Sequence, residues 1–472
     1  MSWKSTRCLT IIALFLLMLP QGCSDSDSDD SANEKYIEAY TLGTQAYIWG
    51  YPVVSNYNRF RVFSMFTEID VKNKTLPRAP VNQICFLSDY VTPDERSIVA
   101  PNHDTIYGSA WLDLSIEPIV LRMPDMGSRF WIFEMCDFYT DVFASPGTLH
   151  GSSAGNYLIV GPDWNGAAPE GMVEVIRAPT HRVYLLPRIL LRENPEDLAE
   201  VRELINQITI CPLSEIDTAP TYIDYAGVPQ IEEPDWVPEW TPDDTFWETL
   251  HAAIQATEIR PGEEAKVASF LDILSNRDDP DIRKGLDDAL ADSKQDVINA
   301  GSFSNLGDPV GNGWTLLTTG GRFGTDYLTR AGAAYSFIYY NLLEDSAYYM
   351  QTVDESGDLL DGSRNYRIHF DASDLPPYGE NAFWSVTLYD SEFFLFANEF
   401  NRYNIGTVTE GLEFNDDGSL DLYLQAAIPE GHESNWLPTP SNGNFELTLR
   451  VYIPGPSILD GTYLPPPVMR LP

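Results

Sequence analysis

The most regular pattern in the chain lies near its end. Phe445, Leu447, Leu449, Val451 and Ile453 alternate with Glu446, Thr448, Arg450 and Tyr452. Period two sends alternate side chains to opposite faces, so this stretch predicts a strand with one dry and one wetter face. Residues 383–389 and 420–425 alternate similarly, and Asn415-Asp416-Asp417-Gly418 has the composition of a hairpin turn. Between residues 84 and 191 short β-rich runs (119–123, 130–135, 157–160, 173–176 and 183–186) are separated by Pro and Gly, the spacing of a β-sandwich.

Helical periodicity occupies the remainder. Residues 34–49 bring Tyr36, Tyr40 and Tyr47 toward one face, and Gly50-Tyr51-Pro52 predicts the end of that helix. Asn194-Pro195-Glu196-Asp197 supplies a cap, a first-turn proline and acids at the positive end of the dipole; Leu198, Val201, Leu204, Ile205 and Ile208 then recur at helical spacing. A Pro-rich linker is expected over 220–238. Helices follow from Thr241-Pro242-Asp243 and over 263–275 and 281–300, the last with Ile282, Leu286, Leu290 and Val297 on one side. Residues 325–341, with Tyr327, Arg330, Ala331, Ala334, Tyr335 and Ile338, read as a buried helix of small and aromatic residues. No repeat of solenoid or propeller length is present.

The expected organisation is multidomain and mainly β with a helical domain: a leader over 1–22, an acidic tether over 23–33, an N-terminal β-sandwich domain with leading helix over 34–193, a mostly helical domain over 194–350 and a C-terminal β-sandwich over 351–472. The leader has Lys4 and Arg7, an apolar run of eleven residues from Leu9 to Leu19, and Gly22 before Cys23. That run is too short to span a bilayer. Small residue then Cys is similar to a bacterial lipoprotein signal, although Pro20 stands where such signals usually carry Leu. The expectation is acylation of Cys23 and a membrane anchor in the bacterial envelope, at the outer membrane facing periplasm or surface.

With 70 acidic against 29 basic residues the net charge is −41, a field that repels nucleic acid and anionic surfaces, so nucleic-acid binding is excluded. Once the leader and Cys23 are set aside, Cys85, Cys136 and Cys211 remain, with no CxxC or metal-ligand spacing. No metal site is expected and no cofactor is indicated.

Candidate chemistry gathers in two polar stretches. Pro101-Asn102-His103-Asp104-Thr105-Ile106-Tyr107 packs an amide, an imidazole, a carboxylate, a hydroxyl and a phenol before a predicted strand. Asp104 could serve as base and Tyr107 as acid, with Asn102 and Thr105 as ligand groups; an Asx-type turn satisfying its own loop is the alternative. Asn398-Glu399-Phe400-Asn401-Arg402-Tyr403-Asn404 follows a predicted strand, and Arg402, with Asn398 and Tyr403, could clamp an anion or form an internal ion pair. Arg330 carries the same two readings. The aromatic content, 12%, makes Trp111, Trp384 and Trp436 either stacking platforms or core. Gly151-Ser152-Ser153-Ala154-Gly155 matches GxSxG, but a strand follows it where a hydrolase needs a helix, so a glycine turn is expected. Asp354, Asp358 and Asp361 lack calcium-loop spacing and read as a solvated loop.

Ala46-Tyr47-Ile48-Trp49-Gly50-Tyr51-Pro52, the 101–107 stretch, Trp111-Leu112-Asp113-Leu114, Glu117-Pro118 and 155–164 together resemble the domain of unknown function numbered 1254. Residues 383–390, 402–406, 417–420 and 435–438 resemble its usual partner, domain of unknown function 1214. Tyr403-Asn404 departs from the family's frequent Tyr-Ser, and the helical region is longer and more acidic. The resemblance implies an immunoglobulin-like β-sandwich, a mostly α middle domain and a C-terminal jelly-roll-like sandwich; it implies no activity. The functional expectation is a small organic or saccharide ligand held between the β-domains. The alternatives are an exported hydrolase or lyase and a structural module, with homo-oligomers possible in each case.

Overall fold

The computed structural model describes residues 26–71, 77–96, 99–228, 240–302 and 305–472, with side chains from residue 31 onward. The leader, Cys23 and residues 229–239 of the predicted linker lie outside the described residues. The chain is multidomain and mixed α/β, with four sheets and seven helices among the described residues: α1 Ser26–Phe63, α2 Pro195–Ile205, α3 Phe246–Gln255, α4 Glu264–Ser275, α5 Pro280–Ala300, α6 Tyr327–Ser336 and α7 Pro456–Leu459. No helix among these residues is long and apolar enough to cross a membrane.

Helix α1 does not stop at Pro52 as the sequence predicts. Pro52 removes one backbone donor, but Val53, Val54 and Asn56 beyond it are fully buried, and that packing outweighs the lost bond. Gly50 is needed because a Cβ there would meet Leu250 of α3 at 2.5 Å. Helix α1 lies along α5 and also contacts α3, α4 and α6, so the leading helix belongs with the helices rather than with the first β-domain. The close approach of α1 and α5 is set at Gly285, where a Cβ would lie 2.6 Å from the Tyr36 carbonyl oxygen.

The N-terminal β-region pairs a five-stranded sheet (Cys85–Phe86, Thr105–Asp113, Arg182–Leu190, Trp131–Cys136, Val142–Ala144) with a four-stranded one (Met172–Arg177, Gly155–Val160, Ile119–Met123, Thr209–Pro212). The last of these strands lies beyond the predicted boundary at 193, because Thr209–Pro212 bonds to Ile119–Met123. Helix α2 starts as its sequence dictates, with Asn194 accepting from the Asp197 amide at 2.7 Å. Asp197 in turn holds Arg129 through two bonds of 2.9 Å.

The C-terminal region has a six-stranded sheet (Asp308–Gly311, Trp314–Leu316, Ser346–Gln351, Phe445–Tyr452, Trp384–Asp390, Asn404–Gly406) and a four-stranded sheet (Trp436–Pro438, Leu420–Gln425, Tyr366–Phe370, Val468–Arg470). Its first two strands precede the predicted boundary at 351, and the third runs up to it. The two sheets share one apolar core, with Ala347, Val386, Leu447, Leu449 and Val451 facing Ile368, Phe370, Leu422 and Leu424. This is the dry face expected from the alternation, except at Ile453, which lies beyond the strand's end and packs with Phe130 and Phe383. The opposite face turns toward the N-terminal region, where Phe130, Phe383 and Tyr452 form an aromatic contact, the last two stacked at 4.3 Å.

Candidate functional site

Registers in the six-stranded sheet place Tyr348 opposite Arg450 and Met350 opposite Thr448. On the other side of the central strand, Ser385 stands opposite Arg450 and Thr387 opposite Thr448. These polar residues share the face that the sequence marks as wet, yet Thr448 and Arg450 are only 3% and 5% exposed. They are enclosed because the five-stranded sheet brings Tyr107, Leu186 and Arg188 over them, while α5 and α6 close the side with Ile298, Gly301 and Ala334. The result is a cavity of about 630 Å³ where all three parts of the chain meet, a size suited to a small organic ligand.

The wall is aromatic and positive. Tyr335, Tyr339, Tyr340, Phe337, Trp240 and Phe393 contribute rings, and Arg59, Arg188 and Arg450 contribute guanidinium groups; no Asp or Glu is among the described lining residues. Arg188 is paired with Glu134; burial acts to lower the guanidinium's pKa, but the neighbouring groups, the Glu134 charge foremost, hold it well above its ordinary value, and Arg188 also donates to Asn341 Oδ1 at 2.7 Å. Arg59 lies over the Trp240 ring at 4.4 Å and donates to Ser55 at 3.3 Å. Arg450 donates to Thr387 Oγ1 at 3.0 Å and to the Ala100 carbonyl at 2.8 Å. The hydroxyls of Tyr340 and Thr448, both buried, make no hydrogen bond with any described residue. Ala100, Tyr339 and Phe393, all on the wall, have positive φ of 47°, 66° and 64°, a conformation costly for residues with a Cβ.

The two polar stretches singled out in the sequence do meet, but mostly beside this cavity rather than in it. Asn102 and Tyr107 line it. Asn102 builds the Asx turn, its Oδ1 accepting from the Asp104 amide at 2.6 Å; its Nδ2 donates to Tyr452, and its backbone N–H donates to the Tyr107 hydroxyl at 3.0 Å. Asp104 is sealed between the β-regions: its two carboxylate oxygens accept from Ser385 Oγ and Asn404 Nδ2. Burial pushes its pKa up to about 6, against the smaller opposing effects of Ser385 and Arg450. It is a tie between domains, buried and not among the residues that line the cavity. Thr105 is buried at the start of its strand and leaves Oγ1 unpartnered away from the cavity.

His103 donates from Nδ1 to the Val91 carbonyl at 2.6 Å and packs edge-on against Tyr403 at 5.0 Å. Burial lowers its pKa to about 4, so it is neutral. Beside it, burial and then the Asp104 charge raise Glu193 to about 7. Tyr403 donates to Asn401 at 3.0 Å, and Asn398 spends its side chain on its own loop, including the Arg402 carbonyl at 2.9 Å. Arg402 clamps backbone carbonyls, Glu433 at 2.9 Å and Ser434, instead of an anion.

Trp111 is fully buried among Phe60, Phe138 and Tyr184 and is core rather than a platform. Trp384 and Trp436 are buried likewise. Arg330 is fully buried in a different place, donating to the Trp49 carbonyl at 3.2 Å between the Tyr139 and Tyr327 rings, and it does not reach the cavity. Ser153 sits on an exposed turn before Gly155–Val160. Cys85, Cys136 and Cys211 are free thiols. No group of three or more His, Cys, Asp or Glu among the described residues is placed to hold a metal ion. The arginines that matter, 188 and 450, were passed over in sequence; the signal available was a charged residue at mid-strand.

Comparison with known proteins fits this architecture. Residues 81–212 match the family described as protein of unknown function (DUF1254), and residues 345–456 match protein of unknown function (DUF1214). The chain thus carries both domains, the first N-terminal and the second C-terminal. No curated protein matches it. Among solved structures, the crystal structure of the VPA0106 protein from Vibrio parahaemolyticus is similar, at 23% identity and TM-score 0.66 over 92% of this chain and 100% of that one, a likeness of fold. An uncharacterized protein from Burkholderia cenocepacia aligns at 12% identity and TM-score 0.42 over 94% of this chain and 97% of that one.

Proposed function

We propose that the protein is a lipid-anchored envelope protein that binds a small organic ligand in the cavity between its two β-regions. In this reading the N-terminal pair of sheets is an immunoglobulin-like sandwich and the C-terminal pair a jelly-roll-like one, and their facing polar sides are the binding walls. The observation that carries it is the cavity of about 630 Å³, walled by both β-regions and by α5 and α6 together, with strained backbone and unpartnered hydroxyls on its surface. Loops and sheet ends gather ligand groups at such junctions. Catalysis by Asp104 is not part of the reading, because both of its oxygens are engaged away from the cavity.

The test is a fragment screen by ligand-observed NMR on the wild type and on Ala334→Phe, which adds a ring to the α6 wall; circular dichroism checks that the variant keeps its fold. Binders of the wild type whose signal disappears in the variant are expected. Binders indifferent to the added ring, or an absence of binders, refute the proposal.

A further inference from the structure

We infer that the ligand is an organic acid whose carboxylate sits against Arg450 and whose apolar or aromatic body fills the remaining volume. This rests on the cavity being a binding site and adds the chemical class of its occupant. Arg450 has five N–H donors; it donates to Thr387 and to the Ala100 carbonyl, and the Tyr389 hydroxyl takes a third, which leaves two for a ligand. Rings of Tyr348 and Tyr389 flank it at 5.7 and 5.6 Å. No carboxylate among the described residues forms an ion pair with it; Asp104 feels its charge but is held by Ser385 and Asn404.

A buried guanidinium without a counter-ion is costly, and an incoming carboxylate supplies one in a planar geometry that matches it. Thr448 lies two residues from Arg450 on the same face of the strand, and its unpartnered hydroxyl, like that of Tyr340, is a donor available to the same anion. Of the other two wall arginines, Arg188 is already neutralised by Glu134, and Arg59 lies over the Trp240 ring and donates to Ser55. The surrounding aromatic residues favour an apolar body over a polyol.

The experiment uses a paired panel of arylalkyl and alkyl carboxylic acids and their primary amides, titrated against the full-length wild type, Arg450→Met and Arg450→Lys. Acids are expected to bind the wild type about tenfold or more tighter than their amides, as a charge-assisted bond requires. The preference should vanish in Arg450→Met and return in part in Arg450→Lys. Equal binding of acids and amides by the wild type overturns this inference while leaving the cavity as a binding site, and that ratio decides even if the methionine variant does not fold. A preference that persists in a folded Arg450→Met also overturns it. Failure of every pair to bind overturns both readings.

Discussion

Replacing Asp104 with Asn tests whether the domain seam holds a carboxylate out of water. In the folded protein burial raises this group from 3.8 to about 6, so the fold prefers it protonated. A raised carboxyl contributes stability that is fully present below its unfolded value and is lost as pH rises through the folded one. A rise of about two units corresponds to about 3 kcal/mol in all, of which about 2.4 kcal/mol falls between pH 4 and 7. An asparagine can keep both contacts: its carbonyl accepts from Asn404, and its amide donates to the Ser385 hydroxyl, which can turn to accept. Its stability is therefore free of this loss. Glu193 adds to the effect with the same sign, since it is raised first by burial and then by the Asp104 charge, which the substitution removes. Urea unfolding of both proteins, followed by tryptophan fluorescence at several pH values between 4 and 8, gives the difference directly. The variant should gain on the wild type by about 2.4 kcal/mol as pH rises from 4 to 7. Parallel pH profiles would show that Asp104 does not titrate within the seam and would refute the argument.

Two further tests address the helices and the anchor. Gly285→Ala should destabilise the protein by about 1–3 kcal/mol, measured by the shift in the urea midpoint, because the added carbon meets the Tyr36 carbonyl at 2.6 Å; in an exposed helix the same change would be stabilising by about 1 kcal/mol, so the sign alone decides. Cys23→Ser should move the protein from the membrane fraction to the soluble fraction on cell fractionation, since each buried methylene of an acyl chain contributes about 0.8 kcal/mol; unchanged partitioning counts against a lipid anchor.

Much of the β-architecture was legible because alternation is a local signal. The run 445–452 has the faces its alternation predicts, with Phe445, Leu447, Leu449 and Val451 packed on the second sheet, whereas Ile453 leaves the strand at positive φ and packs with Phe130 and Phe383 instead. What alternation does not say is what covers the wetter side, and here a second domain covers it, turning Thr448 and Arg450 from surface into cavity wall. Arg188 left less trace, since its strand is buried along most of its length and reads as a nearly continuous apolar run. Asp104 and Asn404 were each noticed, but their bond spans 300 residues and depends on domain docking, which no local pattern encodes. Pro52 misled for the opposite reason: a strong local stop signal was overridden by burial of the turns that follow it.

The cavity wall is difficult to explain as mere packing. A sequence selected only to join two sheets would place an apolar side chain at 448, where a buried hydroxyl makes no bond, a loss of about 1–3 kcal/mol. It would also avoid a guanidinium at 450 with no ion-pair partner among the described residues and would use glycine at 100, 339 and 393, where φ is positive, at about 1–3 kcal/mol for each strained residue. Such terms are large against the 5–15 kcal/mol that typically separates a folded domain from its unfolded chain. The chain carries 70 acidic side chains, yet none of the described residues lining this space is Asp or Glu. Surface charges are screened within about 10 Å at ordinary salt, whereas Arg450 lies in a low-dielectric enclosure where its field is weakly screened. The net charge of −41 therefore does not govern what the interior attracts, and at Arg450 an incoming carboxylate would relieve an imbalance that none of the described residues relieves.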